Sequence, residues 1–403
     1  MTENFKDMLG FYAWGSTGYK NIKDKEYDYK EIMNLAKKQG VFHIVYSVLK
    51  QYTDDEAVAS MNSLYFMSVL NHQAKSEALE GVIKKLEAEN IEVCHIKGKT
   101  LSSLYYYPDT RISGDIDLLI DEKNEIKAKR ILEREGFKCE MRSDDANHSE
   151  CIHESLGLIE LHVKLYYDIM KDIWFDSDDM IKEPYEVIEG IKTLSYTDGF
   201  IYNFMHATKH FLSNGMSIRH ITDVLLYGNK HKDKINFERV FKTLENLKYK
   251  EFLDAFVIIG EKYFNIQPLY ITSSTSDELI LTDIEESGIF GKNIQKAGAL
   301  FEIYTDLRFS TFKNGDKTKY LTNWRRKNIF KAVSYSKENM KKKYSFLDKS
   351  MIYLPKAYVL HTAEIMRKVF KRKKLVKDFV EFKPAENEAL NKKIELIKKL
   401  NMI

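Results

Sequence analysis

Gly114-Asp115-Ile116-Asp117 carries two carboxylates two residues apart. In a strand, residues i and i+2 point to the same face, so Asp115 and Asp117 would stand side by side while Ile116 and Leu118 turn toward a core. Two acids that close repel each other unless a cation compensates. Hard oxygens of this kind suit Mg²⁺, which commonly takes one or two carboxylates and fills its shell with water and substrate phosphates. Further along, Ile159-Glu160-Leu161-His162 offers a third acid, with Leu158, Glu160 and His162 on one side of a second strand. If the two strands are neighbours, Asp115, Asp117 and Glu160 form a three-carboxylate set able to hold two Mg²⁺ ions. One ion would activate an acceptor oxygen and the other would steady a leaving pyrophosphate.

Upstream, Ile96-Lys97-Gly98-Lys99-Thr100 places a glycine where a strand would turn into a helix. Backbone N–H groups at such a turn, together with the helix dipole, favour a phosphate. Lys97 or Lys99 could add positive charge there, although both read equally as surface lysines, and Arg111 could add a bidentate contact. His206 and His210 are four apart and share a helix face, a spacing that can ligate a metal. No Glu follows His206, so the HExxH arrangement is absent. The pair is expected to line the boundary between a helical segment and the acids. Asp223 is expected to anchor a neighbouring Arg or His, and Arg219 to face substrate.

The elements that must position these residues are legible in part. Between about 29 and 89 the pattern is helical, with Ala78, Leu79, Val82, Ile83 and Leu86 on one face. Residues 91–96 read as a short strand and 99–106 as a short helix stopped near Pro108. Residues 115–120 read as a second strand. Asp121 is placed to cap a helix bearing Ala128, Ile131 and Leu132, closed by Gly136. Strands are expected around 148–153 and 157–163. Helices return beyond 195, including one capped by Asn236 with Phe237, Val240, Phe241, Leu244 and Leu247 on one face. The predicted class is α+β, a small mixed β-sheet core flanked by N- and C-terminal helical segments. The expected segments are helical 1–88, a core at 89–170, a helical domain at 171–275 and a basic, mostly helical region at 276–403.

Composition sets the outer limits. The 403 residues are 44% hydrophobic and 31% charged, so a buried core is expected and global disorder is not. With only 5 prolines, long helices are the default. No run approaches the roughly 18 apolar residues of a spanning helix, and the N-terminus lacks signal-peptide features. Three cysteines are too few and too scattered to read as a disulfide framework or a metal knuckle. A cytoplasmic protein is expected. The net charge of +3 hides an asymmetry, because residues 317–377 hold 19 Lys+Arg against 3 Asp+Glu. That segment suggests an anionic partner or an internal electrostatic match. Its interleaved tyrosines and lysines also suit nucleic acid.

Lys97-Gly98, then Tyr107-Pro108-Asp109 and Arg111, then Gly114-Asp115-Ile116-Asp117-Leu118-Leu119-Ile120, then Ile159-Glu160-Leu161-His162 resemble the polymerase-β-type nucleotidyltransferase superfamily. Within it they resemble the uncharacterised bacterial nucleotidyltransferase family, whose pattern runs KG, Y-P, R, D-I-D-L-L, then E/D-L-H. Leu35–Val41 and His206-Ala207-Thr208-Lys209-His210, continuing through Arg219 and Asp223, resemble the flanking helical segments, and 344–370 is a weaker match. The resemblance implies transfer of a nucleoside monophosphate from an NTP to an acceptor, with Mg²⁺ (or Mn²⁺) and loss of pyrophosphate. Asp115, Asp117 and Glu160 are then the metal-binding and catalytic acids, with Glu160 helping to activate the acceptor hydroxyl. Lys97, Gly98, Lys99, Thr100, Arg111, Ser113 and Gly114 would bind the nucleotide, and His162, His206, His210 and Arg219 would stand behind the metals or face substrate. The acceptor would be a small molecule, a protein or an RNA. Lys97-Gly98 stands where the wider superfamily has Gly-Ser, which motivates the alternative of a non-catalytic nucleotide-binding or RNA-binding protein with the same fold.

Overall fold

The computed structural model describes residues 1–97, 99–140, 142, 147–165, 185–188, 190–213, 215–288, 340, 344, 346–363, 367 and 388–403. The chain divides into two compact units, Met1–Glu302 with Leu396–Ile403, and Ile303–Glu395. The first unit contains the acids and all the elements that hold them.

Its sheet has seven strands: β1 (Cys94–His95), β2 (Asp115–Leu119), β3 (Lys138–Cys139), β4 (His148–His153), β5 (Gly157–His162), β6 (Glu186–Ile188) and β7 (Ile191–Thr193), in the order β3-β4-β5-β2-β1-β7-β6. The sheet is mixed. β2 runs parallel to β5 and antiparallel to β1, while β4 and β5 form an antiparallel hairpin. The α+β class and the mixed sheet predicted from the sequence are therefore both present. The predicted strands at 115–120, 148–153 and 157–163 match β2, β4 and β5 closely, whereas the one at 91–96 shrinks to two residues. β6 and β7 extend the sheet with residues beyond 170, and Thr193 pairs with His95.

Alternation along β2 builds two layers. Leu118 and Ile116 turn into a core shared with Ile159, Leu161 and Cys151 of the sheet and covered by two helices. One is α5 (Asn62–Ala88), which follows α1 (Glu3–Thr17), α2 (Tyr29–Lys38), α3 (Phe42–Tyr52) and α4 (Glu56–Ala59). It contributes Leu79, Val82, Ile83 and Leu86, while Ala78 of the predicted face is exposed. After the one-turn α6 (Lys99–Ser102), the second covering helix is α7 (Glu125–Arg134), contributing Ala128, Ile131 and Leu132. Asp121 caps the 3₁₀ turn that leads into α7, accepting from the Lys123 N–H at 3.0 Å. Gly136 closes α7 at φ +91°, a conformation that favours glycine, and a Cβ there would crowd the His153 ring at 3.0 Å.

The opposite layer joins Cys94, Ile96 and Leu119 to Leu194 and to Tyr202 of α8 (Tyr196–Leu212). Ser195 caps α8, and Ser217 caps α9 (Ile218–Lys230). α10 (Phe237–Asn246), capped by Asn236 as predicted, α11 (Lys250–Phe264) and α12 (Asp277–Ser287) follow. Cys139 and Cys151 lie directly opposite in the β3–β4 register and form a disulfide, a pairing that sequence spacing did not reveal. Among the described residues no helix is long and apolar enough to cross a membrane. In the second unit, Met340, Leu347 and Ala357 form a small core, with Tyr344, Phe346, Leu354 and Tyr358 packed against it. Most of the basic 317–377 segment lies outside the described residues.

Candidate active site

The parallel register of β2 and β5 sets Asp117 opposite Glu160 and Leu119 opposite His162. Asp115 and Asp117 share a face, as the alternation requires, and one carboxylate oxygen from each of Asp115, Asp117 and Glu160 falls within 4.8 Å of the other two. The structure thus assembles the three acids that the sequence singled out. They differ in depth: Asp117 is 2% exposed, and Asp115 and Glu160 are partly open.

Lys97, at the end of β1, reaches into this cluster. Its ammonium lies 2.8 Å from Asp117 Oδ2 and 3.9 Å from Asp115 Oδ2. On the other flank, His162 donates from Nε2 to Asp117 Oδ1 at 3.1 Å and faces Glu160 Oε2 at 3.3 Å. Burial alone would raise the pKa of Asp117, but Lys97 and His162 overcome it and hold the carboxyl well below its usual range. Glu160 follows the same logic, with burial opposed chiefly by the His162 hydrogen bond. The two cationic groups respond in kind. Burial pushes Lys97 and His162 down, and the surrounding carboxylates bring both above their ordinary values.

The donor set suits a hard divalent cation. Three carboxylates converge, and Asp117 Oδ2, wholly buried, makes no well-formed hydrogen bond and only the ion pair with Lys97. Asp115, Asp117 and Glu160 therefore fit Mg²⁺ by ligand type and proximity.

A cleft of about 400 Å³ opens beside the acids. Lys97, Ser102, Arg111, Ser113, Gly114 and Asp115 form one wall. The opposite wall is a polar stripe of α5: Ser68, Asn71, His72, Lys75 and Ser76. Sequence reasoning missed that wall. Its signal was present, because these residues recur at the three- and four-residue spacing of one helix face, immediately before the apolar face that starts at Leu79. Burial lowers the pKa of His72, with Arg111 adding to the effect.

The remaining predicted residues divide. Ser113 donates to the Asp115 side chain at 3.2 Å and to its main-chain carbonyl at 3.0 Å, which orients the leading acid. A Cβ at Gly114 would meet open space, so no close approach explains that glycine. Gly98 and the Lys99 side chain lie outside the described residues. Thr100 is buried. The helix predicted over 99–106 is only the single turn α6, because Leu104 and Tyr105 bond back in turns and Tyr105 is drawn inward to α9. A helix of one turn has little macrodipole to offer a phosphate.

Arg111 makes its bidentate contact within the protein. Nε and Nη2 donate to Asp223 Oδ1 and Oδ2 at 2.8 and 2.7 Å, and Tyr105 donates to the same carboxylate at 2.8 Å. Asp223 is thus the anchor that the sequence suggested. Arg219 donates to the Ile112 carbonyl at 2.7 Å. Both arginines strap the segment before β2 onto α9, and through it they fix Asp115.

Behind Lys97 stands a second cluster. His206 and His210 of α8 meet His220 of α9, with one ring nitrogen of each within 4.8 Å of the other two. Lys97 donates to His206 Nε2 at 3.4 Å, so the two clusters share this one ammonium. Burial first, then neighbouring cations and imidazoles, push His206 and His210 well below the usual histidine range. Burial and Arg219 lower His220 to about 3. Burial also lowers the pKa of Lys209 on α8.

The chain is similar to the solution structure of the antibiotic-resistance factor ANT(2'')-Ia at 15% identity and a TM-score of 0.31, with 43% of this chain and 97% of that chain covered; a likeness at that score supports no inference. No curated protein matches the chain. The sequence pattern of a family described as uncharacterised nucleotidyltransferase matches residues 25–265, a span that takes in all three acids, Lys97, both walls of the cleft and the histidine cluster. The chain belongs to the uncharacterised nucleotidyltransferase family.

Proposed function

We propose that this protein is a Mg²⁺-dependent nucleotidyltransferase that moves a nucleoside monophosphate from an NTP to an acceptor hydroxyl. The observation that carries the reading is the convergence of Asp115, Asp117 and Glu160 across the parallel β2–β5 register. In the reaction, the acceptor oxygen forms a bond to the α-phosphorus, the bond to the bridging oxygen breaks, and pyrophosphate departs with its electron pair. Bound by the three acids as one or two ions, Mg²⁺ (or Mn²⁺) would neutralise the phosphates and ease ionisation of the acceptor.

The chain's own groups do the rest. Asp117, held ionised by Lys97 and His162, keeps its charge at any physiological pH. Glu160, at the partly open edge, takes the proton of the acceptor hydroxyl. Lys97 holds the acids together before substrate arrives, and its flexible stem lets the ammonium turn toward the triphosphate. Ser113 and Gly114, on the wall that carries Asp115, bind the donor together with Gly98, Lys99 and Thr100. Arg111 and Arg219 act at one remove, by positioning the segment that carries Asp115. His162 fixes Asp117 and Glu160 relative to each other. The α5 wall of the cleft contributes Asn71, His72 and Lys75 to substrate.

One observation favours a second reading, a non-catalytic nucleotide-binding protein. The Lys97 ammonium already occupies the position beside Asp117 that a metal would take. Incubation with α-phosphate-labelled NTPs and Mg²⁺ separates the two readings, with acceptors drawn from small hydroxylated metabolites, protein and RNA. The first reading expects label transfer that Asp117→Asn abolishes. Transfer that survives Asp117→Asn would contradict it, and tight NTP binding without transfer to any acceptor would favour the second.

A further inference from the structure

We propose that His206, His210 and His220 form a nitrogen-donor site for a divalent d-block cation of the Zn²⁺ class, beside the carboxylate set and distinct from it. The spacing is the first ground. His206 Nε2 and His210 Nε2 are 3.1 Å apart. Two imidazole nitrogens at about 2.0–2.1 Å from one tetrahedral ion stand about 3.3 Å apart, so the pair is nearly preset for a shared metal. His220 closes the third corner from α9, with its ring centroid 4.7 Å from that of His210 and 5.8 Å from that of His206.

Hydrogen-bond accounting is the second ground. A neutral imidazole has one acceptor nitrogen. His206 Nε2 faces the Lys97 ammonium at 3.4 Å and His210 Nε2 at 3.1 Å; if it accepts from Lys97 it has no second lone pair for a His210 N–H, and if it donates to His210 its own N–H meets the ammonium, so neither tautomer satisfies both contacts. A cation seated between the rings removes the conflict, because both Nε2 atoms then direct lone pairs at it and Lys97 keeps Asp117 at 2.8 Å. Ser217 holds the His220 ring in place: its main-chain N–H donates to Nδ1 at 3.1 Å, and its carbonyl lies 3.3 Å from the same atom. Ligation through Nε2 requires the ring proton to move to Nδ1 and turn to that carbonyl.

Ligand chemistry separates the two sites. Neutral imidazoles suit Zn²⁺, Ni²⁺ or Co²⁺, and carboxylates suit Mg²⁺ or Mn²⁺. Three histidines leave a fourth coordination position, which is the pattern of an open site.

The test is Co²⁺ and Zn²⁺ binding to the full chain after metal stripping, with stoichiometry by elemental analysis and coordination by visible absorption. The proposal expects one Co²⁺ per chain with the intense absorption of a four-coordinate ion, unchanged in Asp115→Asn/Asp117→Asn. His210→Ala and His220→Ala should each weaken binding by at least about 100-fold, since loss of an outer-shell partner alone costs about 10–100-fold. X-ray absorption on the Zn²⁺-loaded wild type gives a readout free of variant misfolding, and it should show three imidazole ligands. Absence of stoichiometric binding would overturn the proposal. So would an all-oxygen shell, or binding lost with the aspartates and retained without the histidines.

Discussion

On one side of Lys97 the converging side chains come from strands and carry oxygen, and on the other they come from helices and carry nitrogen. Both clusters are at least partly withdrawn from solvent, yet their charge states differ. Asp117 stays ionised because Lys97 and His162 outweigh its burial, whereas His206 stays neutral because burial, first, and that same lysine both disfavour its charge. The two histidines make the point within one residue type. His162 lies between Asp117 and Glu160 and its pKa rises, while that of His206, beside Lys97, falls. Burial disfavours the charged form in both histidines, and the sign of the neighbour decides whether it is opposed or reinforced. The two sets differ in ligand type as well: charged, strand-fixed carboxylates suit a hard ion, and neutral, helix-borne imidazoles suit a softer one.

The largest expected effect breaks the comparison from the acid side. Asp117→Asn should reduce nucleotidyl transfer to background, a loss of more than about 10³-fold, while His210→Ala lowers it far less. Rates of label transfer from each NTP check this, with circular dichroism confirming the fold of both variants.

Next comes the strap between the two regions. Removing the guanidinium in Arg111→Leu leaves Asp223 buried without its ion partner, though still bonded to Tyr105, a loss of about 3–5 kcal/mol in stability. Urea unfolding should show that loss, and Arg111→Leu/Asp223→Leu should recover much of it. If the single variant unfolds like the wild type, the strap is unimportant.

A pH scan sharpens the comparison further. The buried histidines have folded pKa values below their ordinary 6.5, so the unfolded chain binds more protons as the pH falls. Stability on their account is complete above about pH 6.5 and declines below it, by at most about 1.4 kcal/mol per pH unit for each ring. The acids lose their contribution later. Asp117 and Glu160 are depressed from 3.8 and 4.5, so their share is present above those values and is lost as the pH falls through the folded pKa. Thermal melts from pH 8 to 4 should therefore show an early decline that His206→Gln/His210→Gln flattens.

The smallest effect concerns the shared ammonium. Lys97→Met removes the cation that already sits among the acids, and Mn²⁺ affinity without nucleotide should rise roughly tenfold, the equivalent of one pKa unit. Electron paramagnetic resonance of free Mn²⁺ measures it. Weaker Mn²⁺ binding would mean that Lys97 holds the acids in place more than it competes for them.

The sequence foretold the acid cluster well and its surroundings unevenly. Period-two alternation put Asp115 and Asp117 on one face, and the later Glu160 strand proved to be the direct neighbour, so local pattern and long-range pairing agreed. Asp121, Asn236 and Gly136 were legible because caps and left-handed turns leave residue-specific marks. β6 and β7 were not, because three-residue strands are too short to carry a period. The Cys139–Cys151 pair was hidden for a different reason: a twelve-residue separation says nothing until β3 and β4 are in register. Arg111 was read as a ligand for phosphate, and its bidentate geometry is real, but the carboxylate it meets lies 112 residues away on α9. His220 went unread beside His206 and His210 because it comes from a different helix.

The most direct test of the central claim is calorimetric titration of each NTP into the wild type and into Asp115→Asn/Asp117→Asn, with Mg²⁺ and with EDTA. The three-carboxylate account predicts NTP binding that requires Mg²⁺ and disappears in the double variant. Binding that is indifferent to EDTA and to both substitutions would contradict it.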